Sequence, residues 1–482
     1  MAMITQSDKA ERLNVLFFMT DQHRADCLSL AGHPLVKTPY LDALAARGAW
    51  FNNMYTCSAL CCPSRTSFMT STYLRTHQHY SNGGNLRRDL PNLPALAQAA
   101  GYRTGVTGKA HLPERILRHF DSAQTVREHG KALRQQGLQD VPDTPDFHRQ
   151  FMSACSPLPY AAHETTWTAD RAIDFLKAGS DPKQPFFLWC SFTAPHPPLT
   201  PPAEMDDLYK PESIPLDWEG YARFENSRLG QRAMIEDFWK LGSVKQDPGI
   251  FQKALCRYLA HITMVDREIG RVLKALEQNG QAGRTLIVFS ADHGDFAGRW
   301  GQIGKNIPAY DDLLRIPFLY VDPTRQDGGR CVESLHQSVD LLPSLCERLG
   351  WETPPTAQGI SLLPALDGCP GAGREAVFAE THNVKTIRTR QWKLNLFGPH
   401  PSRGQLFRMG ANPDELTNLW DDPACVAIKC DLLEQLMAWT IRCEQPPAME
   451  WKAEAFVDSR WYRWLKEQPH QCESDANGRN RG

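Results

Sequence analysis

The sequence lacks several features that would assign it to a class of protein directly. No apolar run approaches the roughly 20 residues needed to cross a bilayer, so we expect no membrane anchor. Residues 1–12 contain no apolar stretch of the secretory type, which predicts a cytoplasmic protein with reduced thiols. Basic and acidic residues nearly balance, 53 against 55, so net charge gives no basis for binding nucleic acid or an anionic membrane.

The chain does have the length and the pattern of a large α/β protein. Its 482 residues, 41% of them hydrophobic, are enough for a large core and a second unit. Short apolar runs alternate with helical patterns, which predicts a central, mostly parallel sheet flanked by helices. The predicted strands are residues 15–20, 102–107, 185–192, 285–290 and 316–321, and the clearest helices are residues 94–100, 167–176 and 258–276.

The pattern changes near residue 374, where short apolar runs alternate with turn residues and a last helix follows at 430–443. We therefore predict a catalytic domain over residues 1–370. Residues 371–482 are predicted to form a smaller α+β unit with an antiparallel sheet, which contributes to the substrate pocket and ends in a polar tail.

Polar residues follow several of the predicted strands directly. Asp21, His196, Asp292 and His293 each come just after an apolar run. Ligands gather beyond the carboxyl ends of parallel strands, so we expect these side chains to converge. Two carboxylates and the amide oxygen of Gln22 suit a hard divalent cation, and a histidine also admits manganese. Taken singly, each aspartate has the simpler interpretation of a helix cap.

The run Cys-Cys-Pro-Ser-Arg at residues 61–65 is a candidate for a reactive centre. Pro63 suits the first turn of a helix, and the start of a helix favours a bound anion. Arg65 adds a planar fork of donors for sulfate or phosphate oxygens. These residues alone leave open that Cys61 is a buried structural thiol. A zinc cluster with Cys57 is disfavoured, because no second ligand pair has zinc-site spacing.

Four further basic residues could line a pocket for a tetrahedral anion. Lys109 and His111 follow one predicted strand, His196 follows another, and Lys305 lies shortly after Asp292. A single lysine is usually a solvated surface charge. Gathered at the ends of strands, the four would form a cationic pocket.

These motifs together resemble those of the type I sulfatases, the formylglycine-dependent family of the alkaline-phosphatase-like superfamily, over nearly the whole chain. Lys305 stands where that family keeps its second anion-binding lysine, and Ser71 is a small departure where a glycine is usual. The matching segments are Cys61 to Arg65 (Cys-x-Pro-Ser-Arg), Gly108 to His111 (Gly-Lys-x-His), Pro195 to Pro198 (Pro-His-x-Pro), Asp292 to Gly294 (Asp-His/Asn-Gly), and the C-terminal segments Gln405 to Arg408 and Asp414 to Leu419.

The resemblance implies that Cys61 is oxidised to formylglycine by a separate formylglycine-generating enzyme. One hydroxyl of the aldehyde hydrate attacks sulfur and displaces the alcohol, and the second then expels sulfate. The family's metal ligands fall on Asp21, Gln22, Asp292 and His293, with converted Cys61 as a further ligand. Ca²⁺ is the expected ion and Mn²⁺ the alternative.

The resemblance also implies roles for the basic residues. Arg65 and Lys109 would hold the diol, and His111 would act as a base in the second step. His196 and Lys305 would bind the sulfate and protonate the leaving oxygen. Asn82 stands where related phosphonate hydrolases and choline sulfatases place a pocket asparagine, which makes it a candidate substrate contact; the alternative is a turn residue.

Gln22 and His293 leave a second function open. Their pairing also resembles the phosphonate monoester hydrolases and choline sulfatases, whereas Lys109 together with His111 favours sulfate esters. We therefore predict hydrolysis of a small sulfate monoester, with a phosphonate monoester or phosphodiester hydrolase as the alternative. An inactive binding relative is disfavoured, because the nucleophile and every metal ligand are present. A homo-oligomer assembled through the C-terminal tail is a further expectation.

Overall fold

The computed structural model describes residues 12–83, 86, 90–179, 184–226, 242–305, 310–381, 383–398, 404–410 and 415–444. Two compact units divide the chain after Glu444. Residues 445–482, which include the predicted polar tail, lie outside the described residues, as does Asp414 of the C-terminal motif.

The secondary structure confirms the predicted alternation of strands and helices. The strands are β1 (Asn14–Asp21), β2 (Ala49–Phe51), β3 (Met54–Tyr55), β4 (Arg103–Gly108), β5 (Ser122–Thr125), β6 (Phe186–Pro195), β7 (Gly242–Ser243), β8 (Thr285–Ala291), β9 (Gln302–Ile303), β10 (Phe318–Val321), β11 (Arg330–Val332), β12 (His336–Gln337), β13 (Ala376–Glu380), β14 (Val384–Thr389), β15 (Trp392–Phe397) and β16 (Gln405–Arg408). The α-helices are α1 (Pro39–Arg47), α2 (Cys61–Thr70), α3 (Leu74–His77), α4 (Leu93–Ala99), α5 (Glu114–Leu117), α6 (Val126–Gln135), α7 (Pro145–Arg149), α8 (Glu164–Lys177), α9 (Ala203–Asp206), α10 (Trp218–Asn226), α11 (Pro248–Gln278), α12 (Asp311–Leu314), α13 (Leu341–Leu349), α14 (Leu363–Leu366) and α15 (Val426–Glu444).

The central sheet has eight strands in the order β11-β2-β10-β8-β1-β6-β4-β5. The pairs β8–β1, β1–β6, β6–β4 and β4–β5 are parallel, which confirms the mostly parallel sheet. Strand β10 runs antiparallel to both of its neighbours. The described residues between β8 and β10 form loops, the two-residue strand β9 and the short helix α12 rather than a long crossover helix, so the chain returns in the opposite direction.

Strand β1 lies in the middle of this sheet and is buried along its whole length. Its side chains alternate between two apolar clusters, as the period of two in a strand requires. Val15 and Phe17 pack in one cluster with Trp189. Leu16 and Phe18 pack in the other, which also contains apolar residues of α8 and α11. Because both faces of β1 are packed, the position of its carboxyl end, and of the polar residues there, is fixed.

Helix α11 begins ten residues earlier than the apolar periodicity predicts, at Pro248 rather than residue 258. The reason is a local start signal: the Asp247 side chain accepts hydrogen bonds from the N–H groups of Gly249 and Ile250, and proline fits the first helical position. None of the described helices is long and apolar enough to span a membrane.

A second, antiparallel sheet follows in the order β13-β14-β15-β16, as predicted from the change in pattern. Helix α15 covers it, and the Trp439 ring stacks on Phe378 with their centroids 4.9 Å apart. The same indole lies perpendicular to the ring of Tyr73, the residue before α3, with the ring centroids 5.2 Å apart. These contacts join the sheet to the rest of the unit. The domain boundary at residue 370 stays a prediction.

Candidate active site

The predicted convergence of polar residues at the strand ends is observed. Asp21 is the last residue of β1, Asp292 and His293 directly follow β8, and Cys61 is the first residue of α2. One ligand atom from each of these four side chains lies within 4.8 Å of the other three, and all four residues are buried. Residues separated by more than 200 positions in sequence thus form one polar cluster.

Helix α2 places Cys61 at the edge of this cluster. The residue before it, Leu60, has no capping side chain, so the first N–H groups of the helix take partners from elsewhere. The amide oxygen of Asn82 accepts from the N–H of Cys62 at 3.2 Å. The Ser64 hydroxyl donates to the Asp292 carbonyl at 2.6 Å. The motif therefore ties the helix to the end of β8, and Pro63 lies in the first turn as predicted.

The Arg65 side chain forms ion pairs with both aspartates, Asp21 and Asp292. Its guanidinium is fully buried and donates to Asp21 Oδ2 at 3.0 Å and to Asp292 Oδ2 at 2.8 Å. The remaining donors reach the Lys109 carbonyl at 2.6 Å and the Ser191 hydroxyl at 2.8 Å. Arg65 thus links α2 to the ends of β1, β4 and β8 and to Ser191 within β6, a structural role that the motif did not predict.

Three further basic side chains surround the cluster. Lys109 Nζ lies 2.7 Å from Asp21 Oδ2. Lys305 Nζ lies 3.0 Å from Cys61 Sγ and 2.8 Å from His293 Nε2. His196 Nε2 is 4.0 Å from Asp21 Oδ1, and about a quarter of its side chain is exposed. Basic side chains therefore lie beside both Asp21 and Cys61, as an anion pocket requires.

The charges in the cluster shift the pKa values of its acids in opposite directions. Burial raises the pKa of Asp21, but Lys109, His196 and Arg65 outweigh it and hold the pKa well below its ordinary value. Burial and the nearby Asp21 carboxylate raise the pKa of Asp292. Two carboxylates that disfavour each other's charge are what a divalent cation stabilises.

The donor set fits such a cation. His293 Nδ1 lies 2.9 Å from its neighbour's carbonyl, Gly294 O, which places the ring proton on Nδ1. The lone pair of Nε2 then points into the cluster, where Asp21 Oδ1 and Asp292 Oδ1 each lie 3.7 Å away. Two carboxylates, an imidazole nitrogen and the residue 61 side chain form a compact, mainly hard set of ligand atoms.

Gln22 also lies at this site. Its backbone has a φ of +60° and its N–H donates to Asp292 Oδ1 at 3.0 Å. Its side-chain Nε2 donates to Asp295 Oδ2 at 2.6 Å. Asp295 is 1% exposed and was missed by the sequence reasoning. The signal was the second aspartate in the run Asp-His-Gly-Asp, three residues after Asp292.

Two predicted site residues lie outside the buried cluster. His111 is exposed, with a φ of +46°, and no hydrogen bond among the described residues links it to the cluster. Asn82 is also exposed, and its observed contact is with the N-terminus of α2. Their predicted roles, as a base and as a substrate contact, stay predictions. Cys57 and Cys62 are not among the grouped ligands, and the described cysteines are unpaired thiols.

Comparison with protein families gives two matches. A family model described as "Sulfatase" matches residues 13–351. A second, described as "N-sulphoglucosamine sulphohydrolase, C-terminal", matches residues 298–442. Between them they cover the central sheet, the polar cluster and the C-terminal sheet.

Individual proteins are similar over most of the chain. An arylsulfatase of Clostridium perfringens is 30% identical over 450 residues, which cover 84% of this chain and 90% of that protein. An N-acetylglucosamine-6-O-sulfatase of Bacteroides thetaiotaomicron is 27% identical, with 86% and 84% covered. The crystal structure of a phosphonate monoester hydrolase of Agrobacterium radiobacter superposes with a TM-score of 0.76 at 25% identity, covering 90% of this chain and 96% of that one.

Proposed function

We propose, from the premise that this chain belongs to the sulfatase family and hydrolyses sulfate esters, that it cleaves a small sulfate monoester at the cluster around Cys61. The observation that carries the proposal is the grouping of Asp21, Cys61, Asp292 and His293 within 4.8 Å, with Lys109 and Lys305 beside them. Cations that surround one nucleophilic position suit an anionic, tetrahedral group.

Residue 61 carries the nucleophile once it is converted. The thiol Sγ seen here marks the position that the oxygens of the formylglycine hydrate would occupy, and this hydrate supplies a hydroxyl able to attack sulfur. The conversion requires a formylglycine-generating enzyme as a maturation partner. Lys305, 3.0 Å from this position, and Lys109 stabilise negative charge that develops there.

Asp21, Gln22, Asp292 and His293 would hold one divalent cation, with Ca²⁺ as our first choice and Mn²⁺ as the alternative. The ion would supply Lewis-acid chemistry, lowering the pKa of the diol and polarising a sulfate oxygen. The chain's own contribution is orientation: Arg65 fixes both carboxylates, and the Gly294 carbonyl fixes the tautomer of His293.

The basic residues bind the substrate and move protons. Lys305 Nζ lies 3.0 Å from Cys61 Sγ, and the His196 ring, about a quarter exposed, lies 4.0 Å from Asp21 Oδ1, so both can bind a sulfate group held at residue 61. His196 would protonate the leaving alkoxide, and His111 would take a proton in the second step. Asn82 contributes a substrate contact from the loop above α2.

The test is to replace the nucleophile and to detect the conversion. Cys61→Ala should abolish hydrolysis of an aryl sulfate while leaving the far-ultraviolet circular dichroism spectrum and the melting temperature near wild type. Cys62→Ala is the matched control, because its side chain lies outside the grouped ligands, and it should stay active. Mass spectrometry of the wild-type peptide, expressed with a formylglycine-generating enzyme, should find an aldehyde at residue 61. An unmodified thiol in active protein, or an active Cys61→Ala variant, would refute the proposal.

A phosphonate monoester or phosphodiester hydrolase is the second candidate, favoured by the structural likeness to the Agrobacterium enzyme and by Gln22 in the cluster. Purified, converted protein should be compared on an aryl sulfate, a phosphodiester and a phosphonate monoester. We expect the highest kcat/KM on the sulfate, because the presence of both Lys109 and His111 favours sulfate esters. A dominant phosphonate rate would reverse the order.

We also propose that the enzyme works in the cytoplasm, which is consistent with the unpaired thiols of the described cysteines.

A homo-oligomer formed through the C-terminal tail stays part of the proposal. Sedimentation of the full chain and of a chain ending at residue 444 would test it.

A further inference from the structure

Asp295 contacts neither Cys61 nor the two aspartates of the cluster, yet its carboxylate lies between two parts of the site. Its Oδ2 accepts from Gln22 Nε2 at 2.6 Å. Its Oδ1 accepts from the N–H groups of Ala297 at 2.6 Å and Gly304 at 3.1 Å. Gly304 directly precedes Lys305, whose ammonium contacts Cys61 Sγ. One buried carboxylate therefore uses both oxygens, one toward Gln22 and one toward the loop that carries Lys305.

The chemistry of the two groups makes this contact directional. A carboxylate only accepts hydrogen bonds, whereas an amide has one donating and one accepting end. The carboxylate therefore selects the NH₂ end of the Gln22 amide and places the oxygen Oε1 on the side away from Asp295. Without such a partner, the two ends of a glutamine amide can exchange by rotation about χ3.

We propose that Asp295 is a positioning residue that makes Gln22 a metal ligand, by forcing its amide to present oxygen rather than NH₂ to the cation. This inference rests on the proposed function, since it assumes a divalent cation among Asp21, Gln22, Asp292 and His293. It assigns Asp295 an effect on metal affinity that acts through the orientation of one side chain.

The substitution Asp295→Asn changes the orientation of the Gln22 amide while keeping the hydrogen bonds of residue 295. The asparagine oxygen stays on the Ala297 and Gly304 amides, because those two N–H groups repel the NH₂ end. The asparagine NH₂ then faces Gln22, whose amide must rotate to offer its oxygen. Every hydrogen bond is kept, but Gln22 now turns its NH₂ toward the cation. We expect the Kd for Ca²⁺ to rise 10- to 100-fold, the usual loss when a partner that orients a ligand is removed.

In the double variant Gln22→Glu with Asp295→Asn, residue 295 donates the hydrogen bond and residue 22 accepts it. Glutamate has two equivalent oxygens, so one accepts from the asparagine NH₂ and the other faces the cation. The total charge of the pair is the same as in the wild type. We expect Ca²⁺ affinity equal to or tighter than that of the wild type, a recovery that a purely structural role for Asp295 would not give.

The experiment is isothermal titration of metal-free, full-length protein with Ca²⁺, repeated with Mn²⁺. Thermal unfolding of the metal-free variants is the second readout, and Asp295→Asn should melt close to the wild type. Asp266→Asn is the matched control, because that buried carboxylate also accepts two backbone N–H groups, from Tyr40 and Leu41, and is not among the grouped ligands. It should bind metal like the wild type.

The outcomes are distinguishable. A wild-type protein that binds neither ion would refute the proposed metal site itself. A wild type that binds, together with an Asp295→Asn variant of unchanged affinity, would refute only the positioning role. Loss in Asp295→Asn without recovery in the double variant would also refute it, since Asp295 would then act through something other than the orientation of Gln22. Loss followed by recovery supports it.

Discussion

Removal of the Arg65 guanidinium should destabilise the protein strongly, and by an amount that depends on metal. Arg65 is fully buried and is ion-paired with Asp21 and Asp292. An Arg65→Gln substitution leaves two buried carboxylates without this counter-charge. Breaking a buried pair by removing one partner costs about 3–5 kcal/mol. Lys109, 2.7 Å from Asp21, still compensates that carboxylate, whereas Asp292 keeps the backbone N–H groups of Gln22 and His293 but no ion pair with a lysine or arginine among the described residues. We therefore expect a loss of about 3 kcal/mol in metal-free protein.

The assay is urea unfolding followed by circular dichroism, in chelator and then in Ca²⁺, with refolding checked for reversibility. In Ca²⁺ the loss should be smaller than in chelator, because a divalent cation replaces part of the missing positive charge. Arg149→Gln is the control: its ion pair with Asp146 is about three-quarters exposed on both sides, so we expect little or no loss of stability and no dependence on metal. An Arg65→Gln variant as stable as the wild type in chelator would contradict the charge-balance reasoning.

Two further predictions follow from single contacts. Lys305→Ala should lower kcat/KM on an aryl sulfate by about 10²–10³-fold and also raise KM, since its ammonium acts on both the ground-state anion and the developing charge; an unchanged KM in steady-state kinetics would argue against sulfate binding by Lys305. Burial raises the pKa of Asp340, but the Arg374 guanidinium outweighs it and holds the pKa at about 2 rather than 3.8. That lowering stabilises the fold by about 2 kcal/mol above pH 4 and by roughly half as much at pH 3, because the unfolded chain takes up the proton while the folded carboxylate is still mostly ionised. The stability difference between the wild type and Asp340→Asn in urea should shrink accordingly from pH 7 to pH 3, and a constant difference would refute the assignment.

Residues close in sequence specified the parts of the site that depend on local structure. Pro63 predicts that Cys61 lies at the start of a helix, and the uninterrupted apolar run along β1 identifies a strand buried on both faces. Polar residues at the ends of such strands predict a cluster, because parallel strands deliver their carboxyl ends to one edge. The predicted meeting of Asp21 and Asp292 depended on no more than that rule.

The sequence by itself therefore determined the fold class, the family and the identity of the polar cluster. What it left undetermined were the interactions across long separations that orient those groups. That Arg65 bridges two carboxylates, that Gly294 fixes the tautomer of His293, and that Asp295 selects one end of the Gln22 amide became visible in the tertiary structure alone. The physical reason is that residue type and periodicity specify which face a side chain occupies, whereas the direction of a hydrogen bond depends on a partner that only folding brings within reach.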